Sequence, residues 1–457
     1  MDDPERDREE QATVRGEPGQ RLLSLDAFRG LTILVMIFVN DVSGVEGTPA
    51  WMKHIQPPNA DGMTFVDVVF PAFLFIVGTS IPFAIGGRLR RGEPPGRVWL
   101  HILQRTLGLL ILGVFMVNED DVSGRCFLSK TLWTFLLFLG AILVWNALPR
   151  QPGPKRIAAW IVRGAGVTLL IALAYLFRGK GEPRFIELRT QWWGILGLIG
   201  WAYPVACLVY VPLRSNLAGV VGIIPLLLCL PLAGAGGAFE PLKLFDKWVN
   251  IGSALGAHAA IAVAGVALGM MLNMPGRTAG QRAWWGLWYG AGLAAAGYLT
   301  HAAHDIHRLF IINKIAATIP WCLWCSAISV WIWVAIHILM DVIGWKRWAV
   351  ILAPAGQNPL LAYLLAPLLI AAFDLASQNL QCPNYYEDLG ATFAVGFWRS
   401  LGFAFFVTFL AGVKRRSREE SAKPFGEDPK KPLTDPNAFP VMAPFVTVRT
   451  GPVPPAG

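Results

Sequence analysis

The stretch of residues 63–86 reads MTFVDVVFPAFLFIVGTSIPFAIG, an apolar run in which Asp67 is the single charged residue. A helix that crosses a membrane needs roughly 20 mostly apolar residues, and this run has that length. Runs of the same character recur along the whole chain. The predicted spans are 28–44, 63–86, 99–118, 131–149, 157–177, 191–212, 217–236, 252–273, 284–302, 315–340, 347–373 and 391–412. The pattern predicts an all-α polytopic membrane protein, a bundle of about 12 transmembrane helices, with 11 as the alternative count.

The composition of the chain fits a membrane protein and excludes two other classes. Of the 457 residues, 54% are apolar types and only 15% are charged, against about 25% charged in a typical soluble protein. The mean hydropathy is +0.48. A water-soluble domain could not bury this much apolar surface, and intrinsic disorder of the whole chain would require low hydrophobicity. The predicted surroundings are therefore the lipid bilayer.

The formal charge of +9 arises from short basic clusters between the apolar runs, such as the one at 88–97. Such clusters are typical of cytoplasmic loops in membrane proteins, so we expect no nucleic-acid partner. The loops on the two sides carry nearly equal numbers of Lys and Arg, and the basic tails decide the orientation. Both termini are predicted to be cytoplasmic, with a polar tail at 1–20, a membrane domain at 21–413 and a disordered, basic, Pro-rich tail at 414–457.

Several polar side chains fall near the ends of the first two predicted helices. Asp26 and Arg29 lie at the inner mouth of the first helix, close enough to pair. Asn40 lies at its outer end, His54 in the loop that follows, and Asp67 inside the second helix. Ionisable groups are costly at membrane depth, so each of them is a functional-site hypothesis.

Two interpretations of Asn40, His54 and Asp67 remain open from their spacing. In one, Asn40 caps a helix end, His54 is exposed in its loop, and Asp67 pairs with a structural partner. In the other, the three form a proton-handling site, because His titrates near neutral pH and suits general acid–base chemistry. A carboxylate could then fix the tautomer of the imidazole, and an amide could donate to a developing oxyanion.

The same region carries two extended motifs. They are Arg21-x-x-Ser24-Leu25-Asp26-x-Phe28-Arg29-Gly30, continued by Val39-Asn40 and Lys53-His54, and Gly62-x-Thr64-x-x-Asp67-x-Val69-Phe70-Pro71-x-Phe73-x-Phe75-Ile76-x-Gly78. Weaker motifs follow at Gly194-Ile195-Leu196, Asn313-Lys314 and Gly356-Gln357-Asn358-Pro359-Leu360-x-x-Tyr363. Together these residues resemble the heparan-α-glucosaminide N-acetyltransferase family of transmembrane acyltransferases, and in particular its bacterial members.

The resemblance implies that 21–413 is a transmembrane acyltransferase domain in the cell inner membrane. Such an enzyme takes acetyl-CoA as co-substrate on the cytoplasmic side and N-acetylates a small-molecule amino sugar or glycan on the extracytoplasmic side. The family's catalytic His corresponds to His54 and its helix-end Asn to Asn40, while Asp67 matches a carboxylate of the second motif. Residues 131–177 look like a helical hairpin inserted into the family's pattern.

Other functions and assemblies stay open at this stage. A polysaccharide O-acetyltransferase is the nearest variant. A proton-coupled transporter of sugars or lipid-linked sugars could use Asp67 and His54 as a proton relay, although we find no inverted repeat of the kind that many transporters carry. A homodimer is also an open alternative.

Five residues are candidates for binding CoA: Arg29, Arg105, Asn313, Lys314 and Asn358. The arginines qualify because guanidinium forks match phosphate groups, although Arg105 could equally extend to the inner headgroups. Asn313, Lys314 and Asn358 qualify because the resembling motifs include them. The alternative role for these three residues is capping of helix ends.

No metal site is predicted. His301, His304 and His307 have helical spacing, but no Cys or Glu cluster completes a tetrahedral ligand set, so a polar helix end or a rim facing the acceptor is the better interpretation. Two cysteines, Cys126 and Cys382, are predicted to lie in outward-facing loops. In an oxidising compartment they should either form a disulfide or both be accessible from outside.

Overall fold

The structure is a computed structural model. It describes residues 22–145 except 56 and 58, and residues 153–422 except 183, with side chains described up to residue 413. Within these residues the α-helices are α1 (Leu23–Val42), α2 (Val66–Arg90), α3 (Pro95–Val117), α4 (Lys130–Trp145), α5 (Pro154–Leu176), α6 (Gly194–Leu213), α7 (Leu217–Ala235), α8 (Lys243–Val249), α9 (His258–Leu272), α10 (Ala279–His301), α11 (Ile319–His337), α12 (Leu352–Gly356), α13 (Pro359–Leu380), α14 (Tyr385–Asp388) and α15 (Phe393–Ala422).

The described residues also contain π-helices and 3₁₀ helices. Two π-helices, Ile251–Ala257 before α9 and Ile338–Val342 after α11, extend their neighbours. The 3₁₀ helices are Ala50–Met52, Glu119–Asp121, Glu240–Leu242, Arg308–Phe310 and Arg347–Val350. In the described ranges, β-structure is limited to one isolated bridge between Val122 and Gly179.

Ten of the described helices are long and apolar enough to cross a membrane. They are α1, α2, α3, α5, α6, α7, α9 with the π-helix before it, α11 with the π-helix after it, α13 and the first part of α15. Two more helices coincide with predicted spans but do not meet that standard: α4, which has 16 residues, and α10. Every predicted run therefore overlaps a helix. The prediction of an all-α polytopic membrane protein is confirmed.

The predicted bounds of the span at 347–373 are wrong. The structure has the short helix α12 there, followed by α13, which begins at Pro359. The proline ring disfavours helical geometry at the preceding residue, Asn358, whose φ is −123° and ψ 54°, whereas proline itself suits a first helical position. Gly356 lies so close to the carbonyl of Asp26 in α1 that a Cβ there would overlap it. The chain thus turns sharply against the first helix before the span begins.

Helices α2 and α9 pack closely in the centre of the bundle. The ring of Phe70 meets the ring of His258 near one end of the pair. Further along, a Cβ at Gly269 would overlap the carbonyl of Thr79. Small residues at such contacts allow helix backbones to approach each other in a membrane. Because both contacts advance in the same direction, α2 and α9 run parallel.

The antiparallel order of α1 and α2 gives the bundle two ends. The His54 end contains the end of α1 at Val42 and the start of α2 at Val66, and the Arg29 end contains the start of α1 and the end of α2. Helix α2 has 25 residues, so its ends are about 37 Å apart at 1.5 Å per residue. That length exceeds the roughly 30 Å hydrocarbon core of a bilayer.

The predicted hairpin at 131–177 corresponds to α4 and α5, which pack against each other around a small apolar core of their own. Trp133, Leu137, Leu173 and Phe177 are fully buried in that core. Helix α4 also contacts α13. The pair is thus a lateral addition to the bundle, and its origin as an insertion stays a prediction.

The two predicted tails lie mostly outside the described residues. Helix α15 continues to Ala422, so the tail predicted for 414–457 begins inside a helix. The rest of that tail, 423–457, and the N-terminal tail at 1–20 lie outside the described ranges.

Candidate active site

His54 and Asp67 form a hydrogen-bonded pair at the His54 end of the bundle. The Nδ1 atom of His54 lies 2.7 Å from Oδ1 of Asp67. The Asp67 side chain, in the first turn of α2, is 1% exposed, whereas that of His54 is 51% exposed. The buried carboxylate thus engages one imidazole nitrogen and leaves the rest of the ring accessible. An imidazole oriented in this way by a carboxylate is suited to act as a general base.

The second oxygen of the Asp67 carboxylate organises the loop that carries His54. This Oδ2 accepts the backbone N–H groups of Ile55 at 3.2 Å and of Thr64 at 3.0 Å. The Thr64 hydroxyl in turn donates to the carbonyl of Lys53 at 2.8 Å. Asp67 thus bonds the imidazole and the backbone that follows it, while Thr64, itself bonded to Asp67, holds the backbone that precedes it, so this group of contacts fixes the orientation of His54.

Lys314 lies directly on His54. Its Nζ atom is 3.2 Å from Nδ1 and 3.2 Å from Nε2 of the ring. Burial lowers the pKa of the Lys314 ammonium below its ordinary value, and the nearby Asp67 carboxylate offsets part of that shift. The structure therefore places a residue that was predicted to bind CoA at the predicted catalytic pair.

Asn313 and Asp61 join the loop before α2 to the loop before α11. The buried Asn313 donates from Nδ2 to the carbonyl of Ala60 at 3.0 Å. One Asp61 oxygen accepts the backbone N–H of Ile312 at 2.7 Å, and the other lies 2.8 Å from Nε2 of His301. Burial alone would raise the pKa of Asp61, but these two hydrogen bonds hold it below the ordinary value. Asn313 thus has a structural position that fixes Lys314 beside His54.

Asn40 is exposed near the end of α1. Its backbone carbonyl accepts the hydroxyl of Ser43 at 2.8 Å. In the described part of the chain, no hydrogen bond joins its amide to His54 or Asp67. The amide is therefore at the same end of the bundle as the pair and available to a bound molecule.

A buried ion pair anchors the helix end beside Asn40. The Asp41 carboxylate accepts hydrogen bonds from the Tyr386 hydroxyl at 2.8 Å, from Arg399 Nη2 at 3.1 Å and from the Ser400 hydroxyl at 2.6 Å. The Arg399 guanidinium also lies over the Tyr386 ring, 4.5 Å from its centroid. These contacts tie α1 to α14 and α15 and hold Asn40 in place.

Two exposed aromatic rings stand next to the pair. Trp51 is 62% exposed and Phe65 is 38% exposed, and their ring centroids are 5.7 Å apart. Trp51 precedes His54 by three residues, and Phe65 directly follows Thr64, whose hydroxyl bonds the Lys53 carbonyl. The rings offer an apolar surface beside the accessible imidazole.

Arg29 lies in the interior at the opposite end, with a side chain that is 8% exposed. Its Nη1 donates to Asp26 at 2.8 Å and its Nη2 to the hydroxyl of Ser80 at 2.6 Å. Gln357 donates to the other Asp26 oxygen at 3.0 Å. The pairing of Asp26 and Arg29 that their spacing suggested is present, and it ties α1 to α2 and to the turn before α13.

The remaining CoA candidates also have partners within the bundle. The Arg105 guanidinium lies over the Tyr203 ring, 4.7 Å from its centroid. Asn358 is 9% exposed, and its amide is 3.5 Å from the carbonyl of Ala411 in α15. The predicted CoA residues therefore do not gather at one place: Asn313 and Lys314 lie at the His54 end, and Arg29 lies towards the other.

The predicted histidine rim and cysteine pair can also be placed. His301 and His304 stack with ring centroids 5.3 Å apart, and the described residues contain no group of three or more side chains suited to hold a metal ion. Cys126 and Cys382 are both free and half-buried. The disulfide alternative for these two cysteines is therefore wrong, and the accessibility alternative remains.

Three features of this site were missed in the sequence. The contact of Lys314 with His54 was not predicted, and the aromatic rings of Trp51 and Phe65 were not singled out; CoA binding by Lys314 stays a prediction. A signal existed for each, since Asn313-Lys314 is one of the resembling motifs and the two aromatic residues flank the His54 and Asp67 motifs. Their proximity depends on the fold, because His54 and Lys314 are 260 residues apart.

The chain is similar to known proteins over part of its length. Residues 21–250, about half of the chain, match a family described as "Domain of unknown function (DUF5009)". The heparan-alpha-glucosaminide N-acetyltransferase of Mus musculus is 35% identical over 114 residues, which are 25% of this chain and 16% of the relative. The Homo sapiens protein of the same name is 36% identical over 104 residues, 23% of this chain and 15% of the relative.

The matched segments thus cover about a sixth of the length of these relatives, and the similarity is limited to that part. The family match is broader, since it begins before α1 and extends past α8 and so includes His54 and Asp67. On this match, the chain belongs to the DUF5009 family and is similar, over part of its length, to heparan-α-glucosaminide N-acetyltransferase.

Proposed function

We propose that the protein is a membrane acetyltransferase that moves the acetyl group of acetyl-CoA to the amino group of a sugar. The observation that carries this proposal is the His54–Asp67 pair: an accessible imidazole whose Nδ1 is 2.7 Å from a buried carboxylate. The similarity to two N-acetyltransferases supports the reaction class. The acceptor class follows the name of those relatives, heparan-alpha-glucosaminide N-acetyltransferase.

The imidazole of His54 would act as the base. With Nδ1–H donating a hydrogen bond to Asp67, the Nε2 lone pair is left to accept a proton from the acceptor amine. The amine nitrogen attacks the acetyl carbon, the carbonyl electrons move to the oxygen, and the C–S bond then breaks to release the CoA thiolate. The proton held on His54 is available to the departing sulfur, so atoms and charges balance.

Asn40 and Lys314 would stabilise negative charge in this reaction. The Asn40 amide is exposed at the same end of the bundle and is an N–H donor of the kind used for oxyanions. The Lys314 ammonium, 3.2 Å from the His54 ring, places a positive charge where the thiolate and the oxyanion develop. We therefore assign Lys314 to the reaction centre in place of CoA binding.

The acceptor would lie against Trp51 and Phe65. Sugar rings present apolar C–H faces that pack on aromatic side chains, and these two rings are exposed beside His54. An amine carried by such a sugar could then reach the imidazole. The histidines of the rim, His301 and His304, lie at the same end and offer further polar contacts.

The donor would enter from the Arg29 end, so that acetyl crosses the bilayer along the bundle. This sidedness places the Arg29 end and both termini in the cytoplasm, with the protein in the inner membrane and His54 outside. Arg105, half-buried in α3, remains our candidate for the CoA phosphates on that path. A homodimer stays a prediction.

The decisive experiment gives purified protein in detergent acetyl-CoA with a labelled acetyl group and a panel of acceptors. Release of CoA that depends on glucosamine, with the label in an amide, supports the proposal. Label in a hydroxylamine-sensitive ester on a polysaccharide would instead identify an O-acetyltransferase. Acceptor binding without CoA release, together with proton-coupled uptake in vesicles, would identify a transporter.

A further inference from the structure

His258 is a buried imidazole with an unsatisfied nitrogen. It is the first residue of α9 and directly follows the π-helix Ile251–Ala257. It is 5% exposed, and its Nδ1 is buried without a hydrogen-bond partner in the part of the chain that the structure describes. Buried polar atoms in proteins are nearly always paired. An imidazole left unpaired in the core therefore needs an explanation.

His258 lies one helical turn further into the bundle than the His54–Asp67 pair. Its ring meets the ring of Phe70 edge-on, with centroids 5.3 Å apart. Phe70 follows Asp67 by three residues in α2, which is about 4.5 Å along the helix axis. The His258 ring also meets that of Trp321, 6.3 Å away, in the first turn of α11. Since α11 follows the Lys314 loop, His258 lies beneath the proposed reaction centre.

Packing does not account for a histidine at this position. Its two ring contacts are with aromatic side chains, Phe70 and Trp321, and a phenylalanine would make the same edge-on contacts without burying a polar atom. An unpaired buried N–H or lone pair destabilises the folded state, whereas an apolar replacement of similar shape is neutral or stabilising. The adjacent π-helix points the same way, because π-turns occur frequently at functional sites.

We infer that Nδ1 of His258 binds the carbonyl oxygen of the acetyl thioester in the core of the bundle. This inference rests on the proposed function. It adds the residue that binds the acetyl group of acetyl-CoA after the donor has entered from the Arg29 end. His54 would act on the acceptor, and His258 on the acetyl group. The two imidazoles lie at different depths, since His54 bonds Asp67 whereas His258 meets Phe70, one helical turn further along α2.

The role of His258 in the reaction is that of an oxyanion donor. As the acceptor nitrogen forms its bond to the acetyl carbon, the carbonyl electron pair moves onto the oxygen. The Nδ1–H of His258 donates to that oxygen and keeps its proton, and collapse of the adduct breaks the C–S bond. A neutral imidazole can serve as an electrophile in this way, and a donor that is fixed in a low-dielectric site is effective.

Three variants of His258 separate this role from a structural one. His258→Phe keeps the aromatic packing and removes the donor. His258→Asn places an amide N–H near the position of Nδ1, whereas His258→Gln places it near Nε2. We expect His258→Phe to be as stable as the wild type or more stable by thermal unfolding in detergent, yet to lose about 10²-fold in acetyl transfer, the usual effect of removing an oxyanion donor. Asn should recover part of the rate, and Gln should not.

Thr106→Val is a matched control. Thr106 in α3 also has a buried side-chain oxygen without a partner in the described residues, and valine has the same shape. This substitution should raise or maintain stability and leave transfer unchanged. If His258→Phe keeps transfer within about threefold of the wild type, or if Gln restores the rate as well as Asn does, the inference is wrong.

Donor binding gives a second test that needs no acceptor. The wild type should bind acetyl-CoA about fivefold more tightly than CoA, the effect of one hydrogen bond to the acetyl oxygen. His258→Phe should bind the two equally well, and an unchanged difference in this variant would overturn the inference. A protein that shows the difference but transfers acetyl to no amino sugar would retain the His258 site, and the proposed acceptor class would be the part that fails.

Discussion

The Nζ atom of Lys314 lies 3.2 Å from both ring nitrogens of His54. A point equidistant from Nδ1 and Nε2 at that range lies over the face of the imidazole, because in the ring plane it would collide with the carbon between them. Lys314 therefore does not occupy the lone pair of Nε2. The base remains open to an acceptor amine, while the positive charge of Lys314 is available to the anion that forms above the ring.

Replacing His54 by alanine should lower acetyl transfer by about 10²–10⁴-fold, the range over which a general base contributes. Expression and CoA binding should persist, because half of the His54 side chain is exposed and little packing is lost. Lys130→Ala is the control, since this side chain at the start of α4 lies at the same end of the bundle and is 52% exposed. If the His54→Ala protein transfers acetyl at a rate within about threefold of the wild type, His54 is not the base.

Replacing Asn40 by alanine should lower kcat by about 10²-fold, because one oxyanion donor is removed. The protein should remain folded, since the neighbouring Asp41 network holds the end of α1 independently. Steady-state kinetics with varied acceptor check the assignment. A change confined to the acceptor KM would make Asn40 a binding residue instead.

The charge of Lys314 should set the alkaline limb of the activity profile. Burial lowers the pKa of Lys314, so the ammonium is present below that pKa and is lost as pH rises through it. Activity should therefore fall at a pH below the ordinary lysine value of about 10.4. Lys314→Arg keeps the charge at higher pH, and its alkaline limb should move upward.

Lys314→Met distinguishes the two roles considered for this residue. If Lys314 serves the reaction centre, the methionine variant should lose transfer at every pH while its affinity for CoA stays within about twofold of the wild type. If the variant instead binds CoA much more weakly but transfers acetyl at nearly the wild-type rate once CoA is saturating, Lys314 belongs to the cofactor site.

Removing the Arg29 side chain should lower the stability of the fold and have little effect on the affinity for CoA. Arg29→Ala leaves the Asp26 carboxylate buried, and breaking a buried ion pair in this way typically costs about 3–5 kcal/mol. The double substitution Asp26→Leu with Arg29→Met removes both charges and should recover most of that stability. Thermal unfolding of the single and double variants checks this. If the stable double variant has lost CoA affinity, Arg29 binds the nucleotide as well.

These contacts show which parts of the protein could be predicted from its sequence. The membrane helices could be predicted, because the length and hydropathy that place a segment in lipid are local properties. The sharp turn before α13 was missed, because it depends on Pro359 and on the close approach of Gly356 to Asp26. His54 and Asp67 could be paired, since 13 residues separate them.

Contacts between distant segments were beyond prediction. The position of Lys314 over His54 requires two loops 260 residues apart to be joined by Asp61 and Asn313. The interior location of His258 likewise follows from the parallel packing of α9 on α2. A sequence pattern identifies which residues carry chemistry, but the packing decides what each of them touches.

The free thiols of the protein report which end of the bundle faces outward. Cys126 follows the end of α3, and Cys382 follows the end of α13, both at the His54 end. The second placement is fixed by the bond between Tyr386 and Asp41. Both thiols are half-buried and unpaired, whereas Cys322 is buried. A membrane-impermeant maleimide added to intact spheroplasts should therefore label Cys126 and Cys382 in single-cysteine variants and leave a Cys322 variant unlabelled.

The side from which these thiols react determines the direction of acetyl transfer. If the His54 end faces outward, labelling needs no permeabilisation, and an acceptor sugar supplied outside should be acetylated with acetyl-CoA supplied inside. If Cys126 and Cys382 react only after the membrane is opened, His54 faces the cytoplasm together with the donor pool. Acetyl would then not need to cross the bilayer, and the orientation derived from the basic tails would be reversed.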